Sequence, residues 1–494
     1  TTLAKSSYDP KTTAVAEANA YTDSKTPVDN INNLPFAITD SNGNALLSIE
    51  NNGTLLVNNI KNKNGSVGDV DAMTDENISQ YPFAITDSNG NTVMCVNDRG
   101  ILTAVELRDK NGVVGKSGVP LDKQFNAIAE LNIFVNHGQS NAGTDPAFKP
   151  PVTTTQIYNN KLFDGNQLVD IALTPDAQEY VSYNLVNHLT YLTLRDTSLN
   201  VADLSSKNVT FSIAEGGTPI ITLYSTNHGH YLTFVNYVTA IKNYADANGI
   251  KCNVQAMCFT HGEADSGSMA VDDYLNHQYN LYNLYNNKAK EITGQKNDMK
   301  FLTWQLDVGN VPLAQLKAQA QHTNMVVCFP KYAPYFGNSG HFNALGGAIA
   351  GAYYALAYRY KFEQKRDWQP LMPINIKKHG ANAVKVRYNR KFLTFDNSRF
   401  DAVGGGFYGT DASGALTVSS YVVDNRGDVI ITFNRDINGS LTFGYGKAMT
   451  SRALFVGAYG GTLRDYQGLV EKTTIGGVEY PLHNWSLNFE EVIV

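Results

Sequence analysis

The chain has 494 residues, of which 43% are hydrophobic and 17% are charged, and its formal net charge is −6. A chain of this length can bury a large core and is expected to form two to four domains. The charge balance gives no basic surface, so nucleic acid is not an expected partner. No apolar run approaches the roughly 20 residues that cross a bilayer, and the start lacks a basic stretch followed by an apolar one, so no membrane insertion is expected.

Residues 1–125 are predicted to be a stalk or oligomerisation region. An Ala-rich helix candidate over 14–25 is followed by two copies of one unit, residues 35–68 and 82–115, at an offset of 47 residues. Both copies contain PFAITDSNGN, and Asn-Gly pairs are a strong signal for hairpin turns. Because such a unit has little core of its own, we expect it to pack against another copy or another chain.

Residues 126–372 show two alternating hydrophobic periodicities. Apolar runs predict strands near 131–136, 208–214, 252–260, 299–306 and 324–329. Amphipathic stretches predict helices near 178–195, 228–248, 270–293, 311–322 and 343–360. The βαβ order predicts an α/β domain, in which the loops that leave the carboxyl ends of the strands meet along one edge and bind ligands.

Polar clusters follow the predicted strands of this domain. In chain order they are Gly138-Gln139-Ser140-Asn141, Gly216-Gly217-Thr218, His261-Gly262-Glu263-Ala264-Asp265 and His341-Phe342-Asn343. A serine hydroxyl becomes a nucleophile when a base removes its proton and N–H donors stabilise the developing oxyanion. The clusters offer all three kinds of group, which predicts a serine hydrolase.

The four blocks, in this order, resemble those of the SGNH hydrolases, and in particular the sialate O-acetylesterase and carbohydrate esterase family 6 branch. The resemblance covers about residues 128–362 and implies a three-layer αβα, flavodoxin-like domain. It implies that Ser140 is the nucleophile and that His341 is the general base and then the acid. The backbone N–H groups of Ser140 and Gly217 are the implied oxyanion donors, and the implied chemistry needs no cofactor and no metal.

Further residues of the blocks are assigned supporting roles, and two positions depart from the family pattern. Gln139, Asn141 and Gly216 are expected to support the site or contact substrate, together with Asn338. Asn338 stands where many SGNH enzymes have the Asp that orients the histidine, and an amide supplies no negative charge. His261 stands where the family usually has a Gln that donates to the oxyanion, a role that a neutral imidazole can keep.

Glu263 is therefore predicted to be the carboxylate that orients His341, since some family 6 esterases use the Glu of this block in that way. On that prediction, Glu263→Gln loses most turnover. Other interpretations stay open: a lone Ser is commonly a helix N-cap, a Gly pair serves turns, and a carboxylate stabilises a nearby helix N-terminus, which is the role expected of Asp265.

Histidine and cysteine spacing indicates neither a metal site nor a disulfide framework. The remaining histidines considered show no metal-ligand spacing with one another or with cysteine: His228, His230, His277 and His322. Three of the four cysteines fall on predicted buried strands, where cysteine behaves as a small hydrophobe; the four are Cys95, Cys252, Cys258 and Cys328. This usage fits synthesis in a reducing cytosol and is compatible with a later location in a virion.

Residues 373–494 contain many short β-like runs separated by Gly and Asn, which predicts an antiparallel β-sandwich. A carbohydrate-contacting role and a packing role at the rim of the active site both remain open for this section. Trp485 is expected to lie in the core.

The succession of a β-repeat stalk, an esterase body and a β-rich tail resembles a bacteriophage tailspike. That resemblance implies a carbohydrate O-acetylesterase acting on acetylated bacterial surface polysaccharide. It also implies a homotrimer in the virion tail or an extracellular location, with the N-terminal region contacting other tail proteins; the helix candidate is equally consistent with an ordinary N-terminal helix. The polysaccharide site could lie within one subunit or between subunits.

Two other classes of function stay open. One is a non-catalytic polysaccharide-binding adhesin on a hydrolase fold, which Asn338 favours. The other is a lipid or peptide hydrolase, which would need an apolar crevice that the Asn-, Gly- and Tyr-rich loops do not indicate.

Overall fold

The computed structural model describes residues 130–494, except 268, 308, 335–339, 367, 399–401 and 447–459, together with seven short strands between residues 47 and 116. The chain divides into two compact units, which are 1–127 with 195–205, and 128–194 with 206–494. The helix predicted over 14–25, the first PFAITDSNGN segment and Asn338 lie outside the described residues.

The strands of the first unit repeat with the sequence. They are β1 Leu47–Ile49, β2 Leu55–Val57, β3 Phe83–Thr86, β4 Thr92–Val96, β5 Leu102–Ala104, β6 Glu106–Asp109 and β7 Gly112–Lys116. The first five form one sheet in chain order, and β6 pairs with β7. Leu47 pairs with Val57 in the first copy, and Met94 pairs with Ala104 in the second, so the two hairpins have the same register at the offset of 47 residues. The predicted hairpins are confirmed for these strands.

A seven-stranded sheet forms the centre of the second unit. Its strands are β8 Glu130–Gly138, β9 Lys161–Phe163, β10 Leu168–Asp170, β11 Ser206–Ser212, β12 Lys251–Thr260, β13 Lys300–Gln305 and β14 Met325–Pro330, in the spatial order β10-β9-β11-β8-β12-β13-β14. All neighbours are parallel except β9 and β10. Apart from that hairpin, the order is that of flavodoxin-like sheets, with a switch point at β8 where ligands characteristically bind.

Helices connect these strands. They are α1 Val181–Thr197, α2 Ile220–Leu223, α3 Gly229–Ala247, α4 Val271–Thr293, α5 Val311–Gln321 and α6 Ala344–Tyr358, and a π-helical turn, Arg359–Glu363, follows α6. The five predicted helices are confirmed, whereas the short α2 and the β9–β10 hairpin were not predicted. The roughly helical spacing of Tyr274, Tyr279, Tyr282 and Tyr285 on α4 predicts a buried face; three of them are buried, and Tyr279 is only partly buried. No helix in the described part of the chain is both long and apolar enough to cross a membrane.

Antiparallel strands make up the C-terminal section of the same unit. They are β15 Pro373–Lys378, β16 Ala383–Tyr388, β17 Leu393–Phe395, β18 Phe407–Asp411, β19 Gly414–Leu416, β20 Val418–Val423, β21 Val429–Phe433, β22 Leu441–Tyr445, β23 Leu463–Asp465, β24 Lys472–Ile475, β25 Val478–Pro481 and β26 Phe489–Ile493. Two sheets have four strands each, β15-β16-β21-β20 and β19-β18-β22-β26. Phe433 and Phe443 bring them into contact with ring centroids 6.4 Å apart, which agrees with the predicted sandwich.

The C-terminal section packs tightly on the α/β sheet. The Gln305 side chain exchanges two hydrogen bonds with the Asn488 backbone, 2.7 and 2.8 Å long. Trp485 is fully buried, as predicted, with its ring 6.2 Å from that of Tyr332. With these buried contacts, residues 128–194 and 206–494 belong to one compact unit.

The cysteines of this unit are free and buried. Cys252 and Cys258 lie on β12, and Cys328 lies on β14. They behave as the small core hydrophobes that the sequence predicts.

Candidate active site

Ser140 lies on a tight turn directly after the central strand β8. The glycine before it, Gly138, has φ +132°, and a Cβ at that position would overlap the Thr260 carbonyl oxygen of β12. Gln139 fixes the same turn, because its N–H donates to Thr260 O at 3.1 Å and its Oε1 accepts from Ala264 N at 3.2 Å. The close approach of β8 and β12 therefore requires a glycine at position 138. The resulting turn places Ser140 at the carboxyl edge of the sheet.

His341 meets Ser140 across 201 residues of sequence, with its Nε2 2.8 Å from Ser140 Oγ. Two neighbours hold the histidine loop. The N–H of Phe342 donates to Asn141 Oδ1 at 2.8 Å, and Asn343 caps α6 by accepting from Gly346 N at 2.8 Å. The serine turn and the histidine loop are thus joined by Asn141, which is itself buried.

Asp145 is the carboxylate beside the histidine ring. Its Oδ2 lies 3.5 Å from His341 Nδ1, and its Oδ1 accepts from Ala147 N at 2.8 Å. The second contact caps a short 3₁₀ turn that starts with Pro146, and it fixes the orientation of the carboxylate. Sequence reasoning missed Asp145 because it took the orienting carboxylate from the family pattern, which led from the Asn338 position to Glu263, and did not consider the turn after Ser140. The available signal was an Asp-Pro N-cap pair five residues after the serine.

Glu263 does not orient His341, and this prediction needs correction. Its Oε1 accepts from Asn141 Nδ2 at 2.7 Å and lies 3.1 Å from Lys331 Nζ. Its Oε2 is buried without a hydrogen-bond partner in the described part of the chain. The loop after β12 places this carboxylate against the side-chain amide of Asn141. Because Asn141 also binds the histidine loop at Phe342, Glu263 influences the site through Asn141.

Lys331 balances the charge of Glu263 at the end of β14. Its ammonium also lies 3.7 Å from Asp307 Oδ1 and 5.4 Å from the centre of the Trp304 ring. Burial alone would raise the pKa of Glu263, but Lys331 and Asn141 hold it below the ordinary value. Burial would likewise lower the pKa of Lys331, and Glu263 and Asp307 raise it. Both groups are therefore charged at neutral pH.

His261 is also placed differently from the prediction. It is fully buried, with Nε2 2.9 Å from Thr218 O and Nδ1 3.0 Å from Tyr274 Oη. Because a carbonyl only accepts, Nε2 carries the hydrogen and Nδ1 accepts from the tyrosine. Burial lowers the pKa of His261, although Thr218 and Asp265 oppose the shift. Both ring nitrogens have hydrogen-bond partners, so His261 stabilises the loop after β11 through Thr218 and is not an oxyanion donor.

The loop after β11 lies beside the serine. A Cβ on Gly216 would lie 3.9 Å from Ser140 Cβ, and Gly217 is exposed with φ +71°. The N–H groups of Ser140 and Gly217 donate to no acceptor in the residues that the structure describes. Both N–H groups are therefore available to an anionic oxygen.

A further cluster lies next to this loop. Glu215 Oε2 is 2.6 Å from His230 Nε2 and 3.9 Å from His228 Nε2. Burial lowers the pKa of His230, although the hydrogen bond to Glu215 opposes the shift. Burial, and then the neighbouring His230, hold the pKa of His137 well below its ordinary value. The spacing argument against a metal site missed this cluster because it compared histidines only with one another and with cysteine.

Comparison with solved structures finds similar chains at low identity. A carbohydrate acetylesterase from Xanthomonas citri is 13% identical, with 79% of this chain and 84% of that chain covered and a TM-score of 0.46. A protein from Arabidopsis thaliana is 15% identical, with coverages of 47% and 98% and a TM-score of 0.35. NanS is 14% identical, with coverages of 48% and 99% and a TM-score of 0.31. No family model and no curated protein matches the sequence.

Proposed function

We propose that this chain is a serine esterase in which Ser140 is the nucleophile, His341 the base and Asp145 the carboxylate that orients it. The observation that carries the proposal is the 2.8 Å contact between His341 Nε2 and Ser140 Oγ, with Asp145 Oδ2 at 3.5 Å from the other ring nitrogen. A hydroxyl, an imidazole and a carboxylate in this sequence of contacts form the arrangement that activates serine for acyl transfer.

The reaction proceeds in two steps. His341 takes the proton of Ser140, and Oγ attacks the carbonyl carbon of an ester; the oxyanion is stabilised by the N–H groups of Ser140 and Gly217. The tetrahedral intermediate collapses, and His341 protonates the leaving alkoxide. Water, deprotonated by the same imidazole, then hydrolyses the acyl-serine and releases the carboxylic acid.

The substrate that we propose is an O-acetylated polysaccharide, and this rests on the resemblance of the four sequence blocks to carbohydrate esterases. The exposure of Glu215, Gly216 and Gly217 beside Ser140 supports it, because this side of the serine faces solvent. The loop is polar, which suits a sugar better than an acyl chain. Asp145 supplies the charge that Asn338 lacks, so the main reason for a purely adhesive function is removed.

An aryl acetate assay tests the chemistry. Wild type is expected to hydrolyse the ester, Ser140→Ala is expected to be inactive, and the exposed Ser398→Ala should match wild type. Equal background rates in wild type and Ser140→Ala would refute the esterase. Mass spectrometry of candidate glycans then tests the substrate class, since deacetylation removes acetyl groups without shortening the polymer.

We further propose a homotrimeric tailspike located in the virion tail, with other tail proteins contacted through the N-terminal region. The two-copy hairpin sheet of the first unit supports an assembly of several chains, because small β units gain burial from neighbouring chains. Light scattering on the intact chain is expected to give three times the monomer mass of 54.1 kDa. A monomer mass would refute the tailspike but leave the esterase in place.

A further inference from the structure

The cluster formed by Glu215, His228 and His230 has the composition of a metal site. Glu215 lies in the loop between β11 and α2, His228 is the N-cap of α3 and His230 is in its first turn. One ligand atom from each side chain lies within 4.8 Å of the other two. The two imidazole rings are 4.5 Å apart, so both face the same small region beside the carboxylate.

Two imidazole nitrogens and one carboxylate oxygen are a donor set for Zn²⁺ and the neighbouring divalent transition metals. Bonds of about 2.0–2.1 Å in a tetrahedral arrangement place the donor atoms roughly 3.4 Å apart. The observed separations of 2.6 and 3.9 Å lie on either side of that value. The Glu215 side chain is 55% exposed and is free to make the small rotation that equalises them.

His137 provides a second observation that points to the same place. It is fully buried on β8, and neither of its ring nitrogens makes a well-formed hydrogen bond in the described part of the chain, although the Ile213 backbone lies close enough to oppose the lowering of its pKa. Buried polar groups are nearly always paired, so an unpaired imidazole indicates a site with a polar function. Its ring centroid lies 5.8 Å from that of His230, so the two imidazoles are direct neighbours.

We propose that Glu215, His228 and His230 bind one divalent transition-metal ion of the Zn²⁺ class. Three protein ligands leave at least one coordination position open on the solvent side. Glu215 directly precedes Gly216 and Gly217, so the bound ion ties the loop beside Ser140 to the N-terminus of α3. The site does not depend on esterase chemistry and takes no part in the acyl-transfer steps.

Isothermal titration of the full-length protein with Zn²⁺ tests the site. Wild type is expected to bind one ion per chain. Glu215→Gln and His230→Asn each remove a ligand, so each is expected to lose at least the roughly 10- to 100-fold in affinity that removal of an outer-shell partner typically costs. The control His379→Asn, at an exposed position between β15 and β16, should bind like wild type, and so should His341→Asn, which removes a second possible zinc ligand near Ser140.

Three outcomes would overturn the proposal. They are the absence of saturable Zn²⁺ binding in wild type, unchanged affinity in both Glu215→Gln and His230→Asn, and loss of binding in His341→Asn alone. If His230→Asn fails to fold, as judged by circular dichroism, His228→Asn replaces it, because the His228 side chain is more exposed, at 26% against 12%.

Discussion

Asp145 Oδ2 lies 3.5 Å from His341 Nδ1, while Glu263 contacts Asn141 and Lys331 instead. We expect Asp145→Asn to lower kcat by up to about 10⁴-fold, because an amide neither stabilises the imidazolium nor fixes its tautomer. The variant keeps an acceptor for Ala147 N–H, so the fold should survive. Glu263→Gln is expected to retain far more activity, and steady-state kinetics on an aryl acetate compares the two.

The turnover of Glu263→Gln relative to that of Asp145→Asn can also contradict this assignment. If Glu263→Gln remains folded and loses as much turnover as Asp145→Asn, the charge that matters to His341 comes from Glu263. Thermal melting of both variants provides the control for folding.

Asn141 joins the serine turn to the histidine loop, and its two ends can be tested separately. Asn141→Ala removes the acceptor for Phe342 N–H and the donor to Glu263, so we expect both kcat and the free energy of unfolding to fall, the latter by about 1–3 kcal/mol. Asn141→Asp keeps the acceptor but places a second negative charge beside Glu263. It should therefore keep more turnover than the alanine variant and lose more stability. Kinetics and urea unfolding measure both quantities, and equal turnover in the two variants would show that the Phe342 contact does not position His341.

His261 is expected to affect stability more than transition-state binding. His261→Leu leaves the Thr218 carbonyl and the Tyr274 hydroxyl without their ring partner, which should cost about 1–3 kcal/mol of unfolding free energy. A direct oxyanion donor would instead contribute about 10²- to 10³-fold to kcat. A loss of that size with an unchanged urea midpoint would restore His261 to the oxyanion hole. Tyr274→Phe, which keeps the imidazole, is the matched control.

The Lys331–Glu263 pair predicts a pH-dependent stability. The pKa of Glu263 in the folded protein is below its ordinary value of 4.5, so the unfolded chain takes up a proton first as the pH falls. The stabilisation is complete above about pH 4.5 and is lost as the pH falls through the folded-state pKa. Glu263→Gln lacks this contribution, so the difference in unfolding free energy between wild type and the variant should shrink on acidification.

Urea unfolding at a series of pH values measures that difference. The exposed Glu479, which pairs with Lys472, provides the control variant Glu479→Gln, whose difference from wild type should be small throughout. The prediction is contradicted if the difference in unfolding free energy between wild type and Glu263→Gln stays constant from pH 6 to well below pH 4.5.

The sequence allows the layout of the α/β sheet to be predicted because strands β8 and β11–β14 each contain apolar residues in a short run between amphipathic helices. Strand ends locate the polar clusters, and the resemblance of the four blocks to the SGNH hydrolases implies the roles of Ser140 and His341, which 201 residues separate. The β9–β10 hairpin was missed because each strand has only three residues, too few for a period-2 pattern.

Partner choice among nearby polar groups could not be predicted from the sequence. Glu263 and Asp145 both lie on loops near His341, and the 3₁₀ turn at Pro146 and the ammonium of Lys331 decide which carboxylate faces the ring. In the sequence, His261 stands where the family has an oxyanion donor. In the structure, the Tyr274 hydroxyl and the Thr218 carbonyl are the hydrogen-bond partners of its two ring nitrogens. These choices depend on side-chain directions that no single segment encodes.

The matching register of β1–β2 and β4–β5 makes the 47-residue unit a modular building block. Since β2 joins β3 in parallel, an in-frame gene duplication would add whole hairpins at the β5 edge and leave the existing ladders intact. Copy number can therefore change the length of this region over evolution in steps of one unit.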